Sequence, residues 1–234
     1  MARGRERAAM IAQGLQPGQT PDHHTYGDRP FKEQVLEKWD GADGRPAGAI
    51  SLNSYGCDIL NTAHTAFVDI DLEDGKDRGS RENKALGDLE FILRREDQFG
   101  AHVYRTAGGL RYLLTLDHAD PGGDHVTDLM TGMGADPLYV RLCRIQGCFR
   151  ARLTPKSWRC GMGERIHIDY PISGPDHQAS VADWRRRYRD VSKEFSVCRR
   201  IGYFGKAHGT SEDFDRVLEL HDRETKATID LPLA

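Results

Sequence analysis

The run Ala66-Phe67-Val68-Asp69-Ile70-Asp71-Leu72-Glu73-Asp74-Gly75 alternates apolar and acidic residues from Val68 to Glu73. Successive side chains on a strand point to opposite faces, so this period predicts a strand over 65–72. Val68, Ile70 and Leu72 then enter a core, and Asp69, Asp71 and Glu73 share the other face. Same-face carboxylates two residues apart lie about 6.5–7 Å apart along the strand. Their oxygens can converge on one hard cation. Such a pair on an open surface suits metal-assisted phosphoryl or nucleotidyl transfer. The same alternation also describes a half-exposed strand whose acidic face is merely solvated. A calcium loop is excluded, because Gly75 falls one place late and its twelfth position is Ser80 rather than glutamate.

Downstream, Leu86, Leu89, Ile92 and Leu93 recur on one face, which predicts a helix over 81–98 with Ser80 as its cap and Gly100 as its stop. The apolar runs 102–105 and 110–115, joined by Thr106-Ala107-Gly108-Gly109, predict a hairpin. Val126, Leu129, Met130 and Met133 mark a short helix ended by Gly134. Strands are expected over 138–144, 148–153 and 165–170. Trp184, Tyr188, Val191, Phe195 and Cys198 predict a long helix behind a capping box, Ser180-x-x-Asp183. Ser211 caps a last helix carrying Phe214, Val217, Leu218 and His221 on one stripe.

Upstream, Phe31, Val35 and Trp39 are spaced for a short helix, Gly41 to Pro46 for a turn, and Ala49 to Asn53 for a strand. Residues 1–30 lack periodicity and are expected to be loosely ordered. The rest, 31–234, is expected to form a single α+β domain, a largely antiparallel sheet with packed helices, with a core over about 49–170 and a helical part over 180–234.

The 234 residues include 29% charged residues, and no run of about 18 apolar residues exists to span a membrane. The start has no apolar stretch of the secretory type. Five cysteines, an odd number, indicate a reducing compartment and a cytoplasmic location. Cys143, Cys148 and Cys160 match no common zinc spacing. The net charge of −3 conceals two basic stretches: Arg141, Arg144, Arg150, Arg152, Lys156, Arg159 and Arg165, then Arg185 to Lys206. Basic zones beside an acidic strand suit a site handling polyanions, and charge-rich helix faces are also simply soluble. No glycine-rich nucleotide loop, G-x-S-x-G elbow or H-E-x-x-H is present, which removes the common hydrolase and zinc-protease readings.

Taken in order, Asp69-Ile70-Asp71, the glycine hairpin into Leu110-Arg111-Tyr112, and Asp136-Pro137-Leu138 followed by Phe149-Arg150 resemble the catalytic core of the archaeo-eukaryotic primase, or primase-polymerase, superfamily. The resemblance spans roughly residues 60 to 160. It implies metal-dependent nucleotidyl transfer on a nucleic-acid template, with Asp69, Asp71 and Asp136 as catalytic residues holding Mg²⁺ or Mn²⁺; Asp169 is an alternative third carboxylate. It further implies nucleotide binding by Gly108, Gly109 and Arg111, and by Arg150, Arg152 and Lys156 along nucleotide or template. The partners implied are a nucleoside triphosphate and a nucleic acid, with any helicase or zinc module on a separate chain. The chain departs from the pattern at the motif-two histidine, whose place Arg111 takes. Arginine binds phosphate bidentately but does not titrate near neutrality. A non-catalytic nucleotide- or nucleic-acid-binding protein on the same scaffold is therefore the alternative.

Overall fold

A computed structural model of the chain describes residues 25–26, 29–30 and 33–234, apart from 73, 74, 97, 117 and 164. The strands are β1 (Thr25–Tyr26), β2 (Arg29–Pro30), β3 (Glu33–Asp40), β4 (Pro46–Asn53), β5 (Asp58–Thr62), β6 (Phe67–Asp71), β7 (Gly100–Thr106), β8 (Gly109–Leu114), β9 (Phe149–Arg152) and β10 (Cys198–Gly205). The α-helices are α1 (Arg78–Arg95), α2 (Asp124–Gly132), α3 (Pro137–Gln146), α4 (Pro175–Ser192) and α5 (Glu212–Thr225). Among the described residues the fold is thus α+β. It holds two antiparallel four-stranded sheets, ordered β3-β4-β5-β9 and β10-β7-β8-β6, beside the short β1-β2 pair. No helix among the described residues is long and apolar enough to cross a membrane.

The acidic strand folds as its alternation requires. Asp69 registers with Arg111 and Asp71 with Gly109 across the β6–β8 ladder. Val68 and Ile70 are buried on the face that also carries Tyr112, whose hydroxyl donates to the Ala85 carbonyl of α1 at 3.2 Å. Phe67, on the opposite face, lies 5.3 Å from the His221 ring of α5. Glu73 lies outside the described residues, as does most of the segment 1–30 expected to be loose.

Where β6 meets β9, edge carbonyls that would otherwise be orphaned find donors. The Asp69 carbonyl accepts the Asp136 N–H at 3.0 Å. The Tyr139 hydroxyl donates to the Arg150 carbonyl at 2.8 Å and accepts the Arg150 N–H at 3.3 Å. Two edges are thereby sealed without becoming one continuous sheet.

Five expectations are corrected, the first being the long helix, which ends at Ser192 short of Phe195, while Cys198 opens β10. Residues 33–40 form a strand rather than a helix. A spacing of four fits a helix and a regular strand alike, and the bulge between Val35 and Glu37 breaks the two-residue period, leaving Val35 opposite Ser51 and Trp39 opposite Gly48 on different faces. Residues 137–146 form a helix rather than a strand: Asp136 caps it, Pro137 begins it and Gly147, at φ 66°, ends it. Residues 165–170 are irregular, held to the β4–β5 turn by the Ile168 N–H on the Ser54 carbonyl at 2.7 Å. Asp77 and Gly174, rather than Ser80 and Ser180, precede α1 and α4. Ser211 does cap α5, accepting the Phe214 N–H at 3.2 Å.

Gly109 is required by space. A Cβ there would sit 1.9 Å from the Ile70 carbonyl oxygen, whereas at Gly108 the nearest atoms would be 3.7 Å away. Gly109→Ala is expected to lose about 1–3 kcal/mol of stability in denaturant unfolding, with Gly108→Ala close to neutral.

Candidate anion-binding cleft

The end of β6, the β7–β8 turn, the end of β9 and the turn after it enclose a cleft of about 370 Å³. Asp69, Asp71, Gly108, Arg111, Arg152, Lys156 and Arg159 all line it. Among the described residues, four cationic side chains therefore face two carboxylate side chains, with Ala234 also in the wall.

Arg111 is the best-anchored of these. Its Nε donates to Asp69 Oδ1 at 2.7 Å and its Nη2 to Oδ2 at 3.1 Å, a bidentate pair. Its Nη1 donates to the Arg152 carbonyl of β9 at 3.0 Å and lies 3.4 Å from His221 Nε2. The side chain is only 4% exposed, against 31% for Asp69. Burial works against the guanidinium charge, but the Asp69 carboxylate outweighs it and holds the Arg111 pKa above its ordinary value.

Behind Arg111, His221 is fully buried and its pKa is pushed down, first by burial and then by the neighbouring Arg111 charge, against the pull of Asp222. A neutral ring fits its partners: Nδ1–H donates to Asp222 Oδ1 at 3.2 Å, leaving Nε2 to accept from Arg111. Asp222 also meets Arg200 Nη1 at 3.4 Å. Burial alone would raise the Asp222 carboxyl, but its bonds, led by His221, hold it below the usual carboxylate range.

The remaining cations differ in kind. Arg152, Lys156 and Arg159 have no side-chain hydrogen bond or ion pair among the described residues. Burial pushes the Arg152 guanidinium and the Lys156 amine down. Their own like charges add to it: Arg111 and Arg159 act on Arg152, and Arg152 and Arg159 on Lys156. Asp71 and the Arg159 guanidinium face each other across Gly108, each 3.7 Å from where its Cβ would stand.

The other expected site residues lie elsewhere or are already engaged. Asp136 does not line the cleft; its Oδ1 accepts the Leu138 N–H at 3.0 Å as the cap of α3. Asp169 is exposed and 3.7 Å from His167 Nε2. Arg150 pairs with the buried Glu33. The Gly109 N–H donates to Thr106 Oγ1 at 2.9 Å rather than into the cleft. Arg159 belongs to the same basic stretch, although the resemblance implies no role for it. His221 and Asp222 had no local signal, because His221 is 110 residues from the arginine it meets.

Among the described residues this arrangement does not assemble a divalent-cation site. Both oxygens of Asp69 are held by Arg111, Asp136 is a helix cap, and no group of three acidic, histidine or cysteine ligands forms among the described residues. Arg111 supplies, from within the chain, the positive charge that a metal ion would otherwise bring to Asp69. The free cationic groups favour an anion instead.

Two outcomes are expected. Arg111→Met strands the Asp69 carboxylate and should cost about 3 kcal/mol in chemical denaturation, low for a broken buried pair because Asp69 keeps water on one side. The depressed His221 pKa means that below about pH 6.5 the unfolded chain takes up a proton that the folded chain refuses. Stability should therefore fall as pH drops from about 7 to about 5, reinforced by the likewise depressed His102. His221→Gln should flatten that slope in unfolding curves collected across the same range.

No family model, no curated protein and no solved structure matches the chain, so the reading of the cleft rests on its own geometry.

Proposed function

We propose that the protein binds the phosphate groups of a nucleotide or nucleic acid in this cleft, without transferring them. One observation carries the reading: Arg152, Lys156 and Arg159 converge on one cavity, and among the described residues no carboxylate is paired to any of them. Like charges held together, with Arg152 and Lys156 half-buried, raise one another's energy, and an anion bridging them relieves it. A phosphate chain supplies several anionic oxygens at spacings that arginine forks and a lysine ammonium both accept. Asp71 at the rim disfavours a small anion lying beside it and leaves the deeper cations as the seat for phosphate. The primase-polymerase resemblance supports a nucleotide as the bearer of that phosphate, and five buried free thiols support a reducing, cytoplasmic setting.

Nucleotidyl transfer is the second reading. It is favoured by Asp69 and Asp71 sharing one face of β6 at the cleft. It requires Asp69 to leave Arg111. The two readings separate in one preparation: Mn²⁺-dependent incorporation of labelled nucleotide that disappears in Asp69→Ala supports transfer and overturns the proposal.

On the binding reading, a nucleoside triphosphate is expected to bind equally well with and without a chelator in titration calorimetry. Lys156→Glu and Arg159→Glu should each weaken binding at least tenfold. Each should also reduce the salt slope of log K for a single strand by about 0.7, the increment that one neutralised phosphate contributes. Unchanged affinity in both variants would remove the cleft as the site.

A further inference from the structure

Beside the cleft lies a second feature that phosphate binding does not use. Trp158 sits in the 3₁₀ turn Ser157–Arg159, between the two cleft cations Lys156 and Arg159. Lys156 Nζ is 5.6 Å from the Trp158 ring centroid, and the Arg165 guanidinium is 4.6 Å from it on the irregular segment that follows. Tyr55, from the β4–β5 turn, meets Trp158 edge-on at 6.5 Å and His167 edge-on at 6.3 Å. Tyr55 is 52% exposed, although a large aromatic ring is normally buried.

The position of this ring is fixed from behind. Asn53 Oδ1 accepts the Tyr55 N–H at 3.0 Å, and the Ser54 carbonyl accepts the Ile168 N–H at 2.7 Å. Gly56, at φ 75°, turns the chain where a Cβ would strike the Trp184 ring at 2.3 Å. Two segments distant in sequence, the β4–β5 turn and the stretch from Lys156 to His167, thus present aromatic rings and cations side by side, and Lys156 belongs to both the cleft and the aromatic group.

We propose that Tyr55 and Trp158 form a base-stacking shelf that extends the cleft, so that the ligand is a single-stranded nucleic acid and not a free polyphosphate. This rests on the phosphate-binding reading of the cleft. A strand whose backbone lies over Arg152, Lys156 and Arg159 places a neighbouring base within reach of the Tyr55 face. Stacking on aromatic side chains accepts any base, because every base has a π-face. Duplex is a poorer fit, since its bases are already stacked on one another and unavailable to the ring.

The test compares three probes on the full chain: a short oligothymidylate, an abasic strand of the same length, and inorganic tripolyphosphate. The oligothymidylate should bind roughly tenfold more tightly than the abasic strand, the size of one stacked base. Tyr55→Ala should abolish that difference and leave abasic and tripolyphosphate affinity unchanged, while Tyr55→Phe should restore it. Trp39 and Trp184 are buried at 7% and 5% exposure. Quenching of tryptophan fluorescence by the oligothymidylate, absent with tripolyphosphate, therefore reports Trp158. Equal affinity for the two strands, or equal loss of both in Tyr55→Ala, overturns the shelf and leaves the cleft standing. Failure of all three probes removes the cleft reading and the shelf together.

Discussion

The bidentate pair between Arg111 and Asp69 ties together parts of the chain that otherwise only touch. Asp69 belongs to the edge strand β6, Arg111 to its neighbour β8, the carbonyl below to β9 in the other sheet, and His221 to α5. Placing a guanidinium at 4% exposure costs solvation, and only a full set of acceptors offsets it. Asp69, the Arg152 carbonyl and His221 Nε2 provide that set. Moving any one of these elements would leave a buried charge without a partner, which is why the pair fixes how the sheets and α5 meet.

The same pair sorts the charges of the cleft. With Asp69 neutralised internally, Arg152, Lys156 and Arg159 are the cationic side chains of the cleft that no carboxylate matches among the described residues. The second basic stretch behaves differently. Arg185 meets Asp58 at 2.9 Å, Arg187 meets Asp183 at 3.2 Å, Lys193 meets Asp190 at 2.7 Å, and Arg200 meets Asp222. The Arg187 and Lys193 pairs are the solvated, locally matched surface expected of a charge-rich helix, whereas Arg185 reaches a shielded partner on β5 and Arg200 one on α5. Equal density of arginine in the sequence thus gives a self-compensated face in one region and an open one in the other.

Much of the fold was legible because local patterns carried it. The alternation at Val68 to Asp71 gave β6, the run around Gly108-Gly109 gave the β7–β8 hairpin, and Leu89 with its neighbours gave α1. The failures were equally local. Val35 and Trp39 satisfy helix and strand periods at once, and bulges hide the difference in β3. Leu138-Tyr139-Val140 read as a strand, although Asp136-Pro137 and Gly147 punctuate a helix at both ends. The site was legible only in part. Asp69, Asp71, Gly108, Arg111, Arg152 and Lys156 do line one cleft, while Asp136 and Arg150 are engaged in capping and in an ion pair away from it.

The sequence by itself determined which residues alternate on β6, which arginines exist, and that a hairpin with a glycine turn follows further along the chain. These follow from periods of two and from turn chemistry, which act over a few residues. Only the tertiary structure decided which charges cancel. Arg111 meets Asp69 across a ladder and His221 from a helix at the far end of the chain, while Tyr55 comes from about a hundred residues away to meet Trp158 and its neighbour Arg165. Pairing of charges and rings depends on distance in space, and distance in space is set by how the sheets and helices close on one another.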